Sequence, residues 1–245
     1  MDRRNFIEKS FTATVAAGIP AGMAGAVSGQ QGTMATGRAR FRDKVVIITG
    51  ATSGIGKAAA FAFAREGAKV GFCGRRENLG VEVEAAIREQ GGEATYVRAD
   101  VTIPEEVEAF VNGMAEKYGK LDVAFNNAGE VMFGKLHEIS LEDWEWIHQT
   151  NVRGVFLAMK YQIPHMLKNG KGNIVLTASM HTVSTRPGAA AYASSKRALM
   201  GLAQTAAMDY GQEGIRVNVI DFSRDYRYPH VQEVYRGVTG KGSTG

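Results

Sequence analysis

The chain has 245 residues, 44% of them hydrophobic, and its 29 basic and 25 acidic side chains leave a formal net charge of +4. One cysteine excludes a disulfide framework, and five scattered histidines exclude a histidine–cysteine metal cluster. The basic excess sits partly in Arg3, Arg4, Arg38, Arg40 and Arg42, and no basic stripe interleaved with aromatics argues for nucleic acid.

The first 27 residues read as an export signal. Asp2-Arg3-Arg4-Asn5-Phe6-Ile7 resembles the twin-arginine motif, and a weakly apolar Ala/Gly stretch follows from Phe11 to Val27. Ala24-Gly25-Ala26 supplies small residues for cleavage. The stretch is too short and too glycine-rich for a stable membrane span. Residues 28–42 read as a flexible linker. A start at Met34-Ala-Thr-Gly-Arg would instead place the protein in the cytoplasm.

From residue 43 to 220 the pattern is that of one α/β domain. Lys44 to Thr49 is an apolar, β-branched run, as expected of a buried parallel strand. Gly50, Gly54 and Gly56 follow at once, and Lys57 to Glu66 reads as a helix stopped by Gly67. Strand, glycine turn and helix form a dinucleotide site: the glycines permit close backbone approach, and the helix N-terminus faces a pyrophosphate.

The alternation continues. Lys69–Cys73 is a strand, Glu77–Gln90 a helix closed by Gly91-Gly92, and Thr95–Ala99 a strand. Pro104–Tyr118 is a helix with proline in its first turn, and Leu121–Phe125 is the fourth strand. Leu141–Lys168 reads as one long helical region, Asn173–Thr177 as the fifth strand, Ala189–Tyr210 as a helix and Ile215–Ile220 as the sixth strand. A doubly wound parallel sheet results, with the candidate sites at the C-terminal ends of its strands.

Tyr192 and Lys196 lie one turn apart on the same helix face, and Ser179 stands thirteen positions ahead of the tyrosine. A lysine beside a phenol favours the phenolate, so Tyr192 can exchange a proton with an alcohol near neutral pH. Ser179 would hold the substrate oxygen by a hydrogen bond. The spacing alone is weak, since a surface lysine and a half-buried tyrosine share it.

Thr49-Gly50-x-x-x-Gly54-Ile55-Gly56, Asn126-Asn127-Ala128-Gly129, Asn151, Ser179 and Tyr192-x-x-x-Lys196 occur in the order and spacing of the short-chain dehydrogenase/reductase family, which the chain resembles from about Asp43 to Ile220. The resemblance implies a Rossmann fold and NAD(P)-dependent interconversion of an alcohol and a carbonyl. It implies that Tyr192 is the catalytic acid/base and that Lys196 lowers its pKa and binds the nicotinamide ribose. It further implies that Ser179 orients the substrate and that Asn151 holds a water linking Lys196 to solvent. Asn151 alone would read as a polar residue inside a helix. The residues implied to line the cofactor are Thr49, Gly50, Ser53, Gly54, Ile55, Gly56, Asn127, Ala128 and Gly129, with Tyr192 and Lys196.

The second strand runs into Gly74-Arg75-Arg76. NAD sites place an acidic residue here for the ribose hydroxyls, whereas a guanidinium fork suits a 2′-phosphate. NADP is therefore the expected cofactor, through Arg75 and Arg76, with NAD as the alternative; a solvated basic turn would look the same. Ser53 stands where some NADP enzymes of the family carry a second basic residue, and adds no support. Asp100 and Val101 stand where the family contacts adenine, though Asp100 also fits a capping turn before Pro104. His181 either lines the substrate pocket or is a loop residue.

After Ile220 the family continues with a Pro-Gly pair, a Thr-containing segment, a lid and a last strand, whereas this chain reads Asp221-Phe222-Ser223-Arg224 and ends at Gly245. Residues 221–245 read as an atypical, disordered tail. A frameshift near codon 223 could hide the family's segment in another frame; natural divergence is the alternative. The expected consequences are an exposed sixth strand and a missing lid. A homo-oligomer is expected through Leu141–Lys168 and Ala189–Tyr210, if the C-terminus permits it.

Overall fold

The computed structural model describes residues 39–221. The expectations for residues 1–27, for most of the linker and for the tail beyond Asp221, the missing strand and lid among them, lie outside the described residues.

Among the described residues, six strands form one parallel sheet in the order β3-β2-β1-β4-β5-β6. They are β1 Val45–Thr49, β2 Lys69–Gly74, β3 Glu93–Arg98, β4 Val123–Asn126, β5 Gly172–Thr177 and β6 Ile215–Ile220. Every residue of β1 is buried, as expected of a central strand covered on both faces. The helices are α1 Gly54–Arg65, α2 Glu77–Glu89, α3 Pro104–Tyr118, α4 Leu141–His148, α5 Gly154–Lys168 and α6 Ala190–Tyr210.

Two apolar layers sandwich the sheet. Ala60, Ala64, Val83 and Ile87 of α1 and α2 pack against Val46, Ile48, Val70 and Phe72. Phe110, Met114, Ala158, Ile163, Leu199 and Ala203 of α3, α5 and α6 pack on the other face with Ile47, Ala124 and Ile174. The sheet reverses its winding between β1 and β4, which opens a crevice beyond the C-terminal ends of those two strands.

Two boundaries differ from the expectation. Residues 39–42, read as linker, dock onto the domain: Phe41 meets the Phe63 ring edge-on at 4.9 Å, and Arg40 pairs with Glu66 at 2.8 Å. The long helical region from Leu141 is broken by a π-helical turn, Gln149–Arg153. Hydrophobic periodicity cannot show one inserted residue, because the apolar face simply resumes after it.

The opposite end of the sheet is structural. Asp122 accepts hydrogen bonds from the Val45 amide (3.0 Å) and the Lys44 ammonium (3.1 Å), and pairs with Lys120 at 3.2 Å. That cluster ties β1 to β4 at the far side from the crevice.

Candidate active site

Gly50 has φ +70°, and a Cβ there would stand 2.7 Å from the Ala128 Cα. A Cβ on Gly56 would collide with the Gly50 carbonyl and come within 2.6 Å of the Asn127 side-chain nitrogen. The turn is braced from below. Thr49 Oγ1 accepts from the amides of Asn127 and Ala128, both at 3.1 Å. Asn127 Nδ2 donates to the carbonyls of Gly50 (3.1 Å) and Thr49 (3.3 Å). Thr49 and Asn127, expected to line a cofactor, thus spend their side chains on the backbone that forms the cradle.

Above the turn the surface is open. Ser53 is the N-cap of α1 but makes no side-chain cap hydrogen bond. Ser53, Gly54 and Ile55 are exposed. A first turn of uncapped amides beside exposed small residues suits a phosphate group. The residues present therefore fit a dinucleotide.

The basic pair at the end of β2 divides its work. Arg76 reaches the glycine turn, donating from Nη2 to Ser53 Oγ (2.5 Å) and Thr52 Oγ1 (3.1 Å). Arg75 points elsewhere, pairing with Glu130 at 2.5 Å and lying 4.0 Å from Asp100. A Cβ on Gly74 would stand 2.7 Å from the Thr52 side chain, so an acidic residue there would require a shift.

Asp100 and Val101, expected to contact adenine, are engaged by protein. Asp100 Oδ1 accepts from the Thr102 amide (2.9 Å) and hydroxyl (2.8 Å), the capping-turn role open to it from sequence. Val101 is buried in the core, where a Cβ on Gly154 would touch it at 3.0 Å.

Ser179, Tyr192, Lys196 and Asn151 converge at the C-terminal side of β5 and the start of α6. The Ser179 hydroxyl lies close enough to the Tyr192 phenol to act on its ionisation. Lys196 is 3% exposed, its Nζ donates to the Thr177 carbonyl at 2.9 Å, and it lies 5.9 Å from the Tyr192 ring centroid. The cradle abuts this cluster, since a Cβ on Gly129 would come within 3.1 Å of the Lys196 Nζ and 3.2 Å of the Asn151 Oδ1.

Two expectations change here. Lys196 was expected to lower the Tyr192 pKa, yet burial pushes that phenol up. The Ser179 hydroxyl pulls it down and the Asp221 charge pushes it up further. Burial also holds Lys196 down, at about 8, which weakens the charge it can offer. Asn151 sits in the π-helical turn, and its amide is taken by protein. Oδ1 accepts from the Glu130 amide (2.8 Å), while Nδ2 donates to the Glu130 carbonyl (2.9 Å) and to Ser195 Oγ (3.0 Å). It braces the 129–130 backbone against α6.

The match to known proteins is consistent with this geometry. The family model described as short chain dehydrogenase matches residues 44–223. The chain belongs to the short-chain dehydrogenase family. An uncharacterized oxidoreductase of Thermotoga maritima is 43% identical over 180 residues, 74% of this chain and 71% of that protein. A 3beta-hydroxysteroid dehydrogenase of Mediterraneibacter gnavus is 41% identical over 182 residues, 74% of this chain and 66% of its own. The crystal structure of an NAD+-bound xylitol dehydrogenase superposes with a TM-score of 0.74 at 33% identity, covering 84% of this chain and 79% of that one. The short-chain dehydrogenase fold places the glycine turn and the Tyr192 cluster at one crevice, as its parallel sheet requires.

Three contributors escaped the sequence reading. Gln162 exchanges two 2.9 Å hydrogen bonds with Asn126 in the core, supporting the Asn-Asn-Ala-Gly turn. Glu130 binds Arg75 across the crevice. Phe133 meets the Tyr192 ring at 6.2 Å, with the Arg186 guanidinium 4.0 Å over its own face. None belongs to a spaced motif, so no sequence signal marks it.

Proposed function

We propose that this chain interconverts an alcohol and a carbonyl with NADP(H), Tyr192 acting as acid and base. The observation that carries the reading is the convergence of Ser179, Tyr192 and Lys196 beside the glycine cradle, with the Lys196 Nζ 5.9 Å from the Tyr192 ring centroid and a Gly129 Cβ position 3.1 Å from that Nζ. The dinucleotide supplies or takes the hydride when bound. In reduction the Tyr192 hydroxyl gives its proton to the substrate oxygen while Ser179 holds that oxygen; in oxidation the phenolate takes the proton back. Protonated Lys196 stabilises the phenolate, and Asn151 positions the loop that faces both. Names of relatives, a hydroxysteroid in one and xylitol in another, fit a secondary alcohol.

The choice of NADP rests on Arg76 rather than Arg75, because Arg76 lies over Ser53 and Thr52 while Glu130 occupies Arg75. NAD remains the alternative dinucleotide, and the NAD+-bound neighbour is the reason to keep it. Arg76→Ala should weaken NADPH binding roughly tenfold or more, and NADH binding little, since charge-assisted bonds to phosphate carry the difference. Cofactor fluorescence titration reads both; equal losses would remove the NADP assignment.

A second reading is a dinucleotide-binding protein without turnover, favoured by the departure from the family sequence after Ile220. Export by the twin-arginine route and homo-oligomers are further proposals. Mass spectrometry of the mature N-terminus tests the first, and a terminus near Met34 would refute it. Exposed Phe156, Leu167 and Met208 on α5 and α6 support the second, and light scattering tests it.

A further inference from the structure

We propose that Glu130 tunes the choice between the two dinucleotides, because its carboxylate holds the Arg75 guanidinium that a 2′-phosphate would otherwise engage. The inference rests on the dinucleotide reading above. Arg75 is the first residue after β2, and Glu130 lies four residues beyond β4. β1 runs between those two strands, so their axes stand roughly 10 Å apart. The two side chains close that gap, with Arg75 Nη2 2.5 Å from Glu130 Oε1. The pair therefore crosses the C-terminal end of β1, from which the glycine turn springs.

The glutamate is the anchored member of the pair. Its amide donates to Asn151 Oδ1 at 2.8 Å, its carbonyl accepts from Asn151 Nδ2 at 2.9 Å, and Asn151 is fully buried. The Glu130 side chain is 26% exposed, against 50% for Arg75. Asp100 Oδ2 lies 4.0 Å from Arg75 Nη1, while Asp100 Oδ1 is held by Thr102. Two carboxylates thus face Arg75. Arg76 bonds the hydroxyls of Ser53 and Thr52, and pairs with no carboxylate among the described residues. The end of the second strand is where such crevices read the adenosine ribose, by a carboxylate for its hydroxyls or an arginine for a 2′-phosphate. Thr52 crowds out an acidic side chain at position 74, so the carboxylate arrives from the β4 side instead. A 2′-phosphate reaches Arg75 only by displacing Glu130, and the displaced carboxylate then stands beside a second anion. A ribose hydroxyl carries no charge and leaves the pair closed. Glu130 is therefore a specificity residue that opposes the phosphorylated dinucleotide, and Arg76 carries the phosphate in the native chain.

The test is calorimetric titration of the full chain with 2′,5′-ADP and 5′-AMP, which differ in the 2′-phosphate alone and need no turnover. Glu130→Gln keeps the side-chain length and the backbone bonds to Asn151, and removes the charge. It should strengthen 2′,5′-ADP binding about fivefold, the upper end for a partly exposed ion pair, and move 5′-AMP binding by less than about twofold. Arg75→Ala probes the pair from its other side. In the native chain it removes a phosphate contact together with the bond that competes for it, so 2′,5′-ADP affinity should change by less than about twofold. In the Glu130→Gln background the same change should cost about fivefold. Equal effects of Arg75→Ala in the two backgrounds overturn the proposal. So does an equal gain for both nucleotides in Glu130→Gln, which would mark a loosened loop rather than a freed arginine. A native chain that prefers 5′-AMP, yet gains 2′,5′-ADP affinity in Glu130→Gln, supports the role of Glu130 and counts against NADP as the cofactor. Binding of neither nucleotide to any of these proteins overturns the dinucleotide reading and this proposal with it.

Discussion

Lys196→Met should make the protein more stable at neutral pH and erase a pH dependence that the native chain carries. Lys196 is almost fully buried, and burial brings its ammonium from 10.5 down to about 8. That fall corresponds to about 3 kcal/mol of penalty for keeping the charge in the fold. The folded pKa lies below the unfolded one, so between them the unfolded chain binds the extra proton. Stability then rises with pH from about 8 towards 10.5, and the penalty is fully present below about 8. By pH 9.5 roughly 2 kcal/mol has been recovered. The bond from Nζ to the Thr177 carbonyl is lost in the variant, which offsets about 1 kcal/mol at every pH. Urea unfolding of both proteins at pH 7.0 and pH 9.5, without dinucleotide, isolates the effect of the buried charge. The advantage of Lys196→Met should shrink by about 2 kcal/mol over that interval. A difference that stays flat would show that Lys196 titrates normally in the fold, and the reasoning about its burial would fail. The same variant should lose turnover, so the site trades stability for chemistry.

Other outcomes follow from the same geometry. The Asp221 charge raises the Tyr192 pKa, after burial, and Asp221 accepts from Thr182 Oγ1 at 2.9 Å. Asp221→Asn keeps an acceptor but removes the charge, so the rise of the oxidation rate with pH should move to lower pH; a profile that stays in place contradicts the contact. Gln162→Leu leaves the Asn126 amide buried without its two bonds, and should cost about 2–4 kcal/mol in urea unfolding. Asn126→Val with Gln162→Leu should cost clearly less than the two single changes summed, and strict additivity would refute the pairing.

Elements with strong periodicity were legible in the sequence. The β1 run, the glycine turn and α3, with proline at its start, stand where their patterns put them, within a residue or two. The doubly wound parallel sheet followed from the alternation of helices and strands, because parallel neighbours need crossovers, whereas the order of the strands came from the structure. The π-helical turn was not legible, since an inserted residue leaves no composition signal. Its effect is local but consequential: Asn151 lies within it, fully buried, with its amide on Glu130 and Ser195. The division of labour between Arg75 and Arg76 was also invisible, because it depends on Glu130, which is distant in sequence. The direction of the Tyr192 shift needed burial, which spacing does not contain. His181 was legible only as a neighbour of Ser179; its orphaned nitrogen emerged from packing.

The central claim is proton transfer by Tyr192, and one comparison tests it most directly. NADPH oxidation by the full chain and by Tyr192→Phe is followed on a panel of ketones and hydroxyketones, with NADPH binding measured in parallel by fluorescence. The account predicts turnover in the native chain, a loss of about 100-fold or more in the variant, and NADPH affinity within a few-fold of native. Equal rates in the two proteins would contradict it.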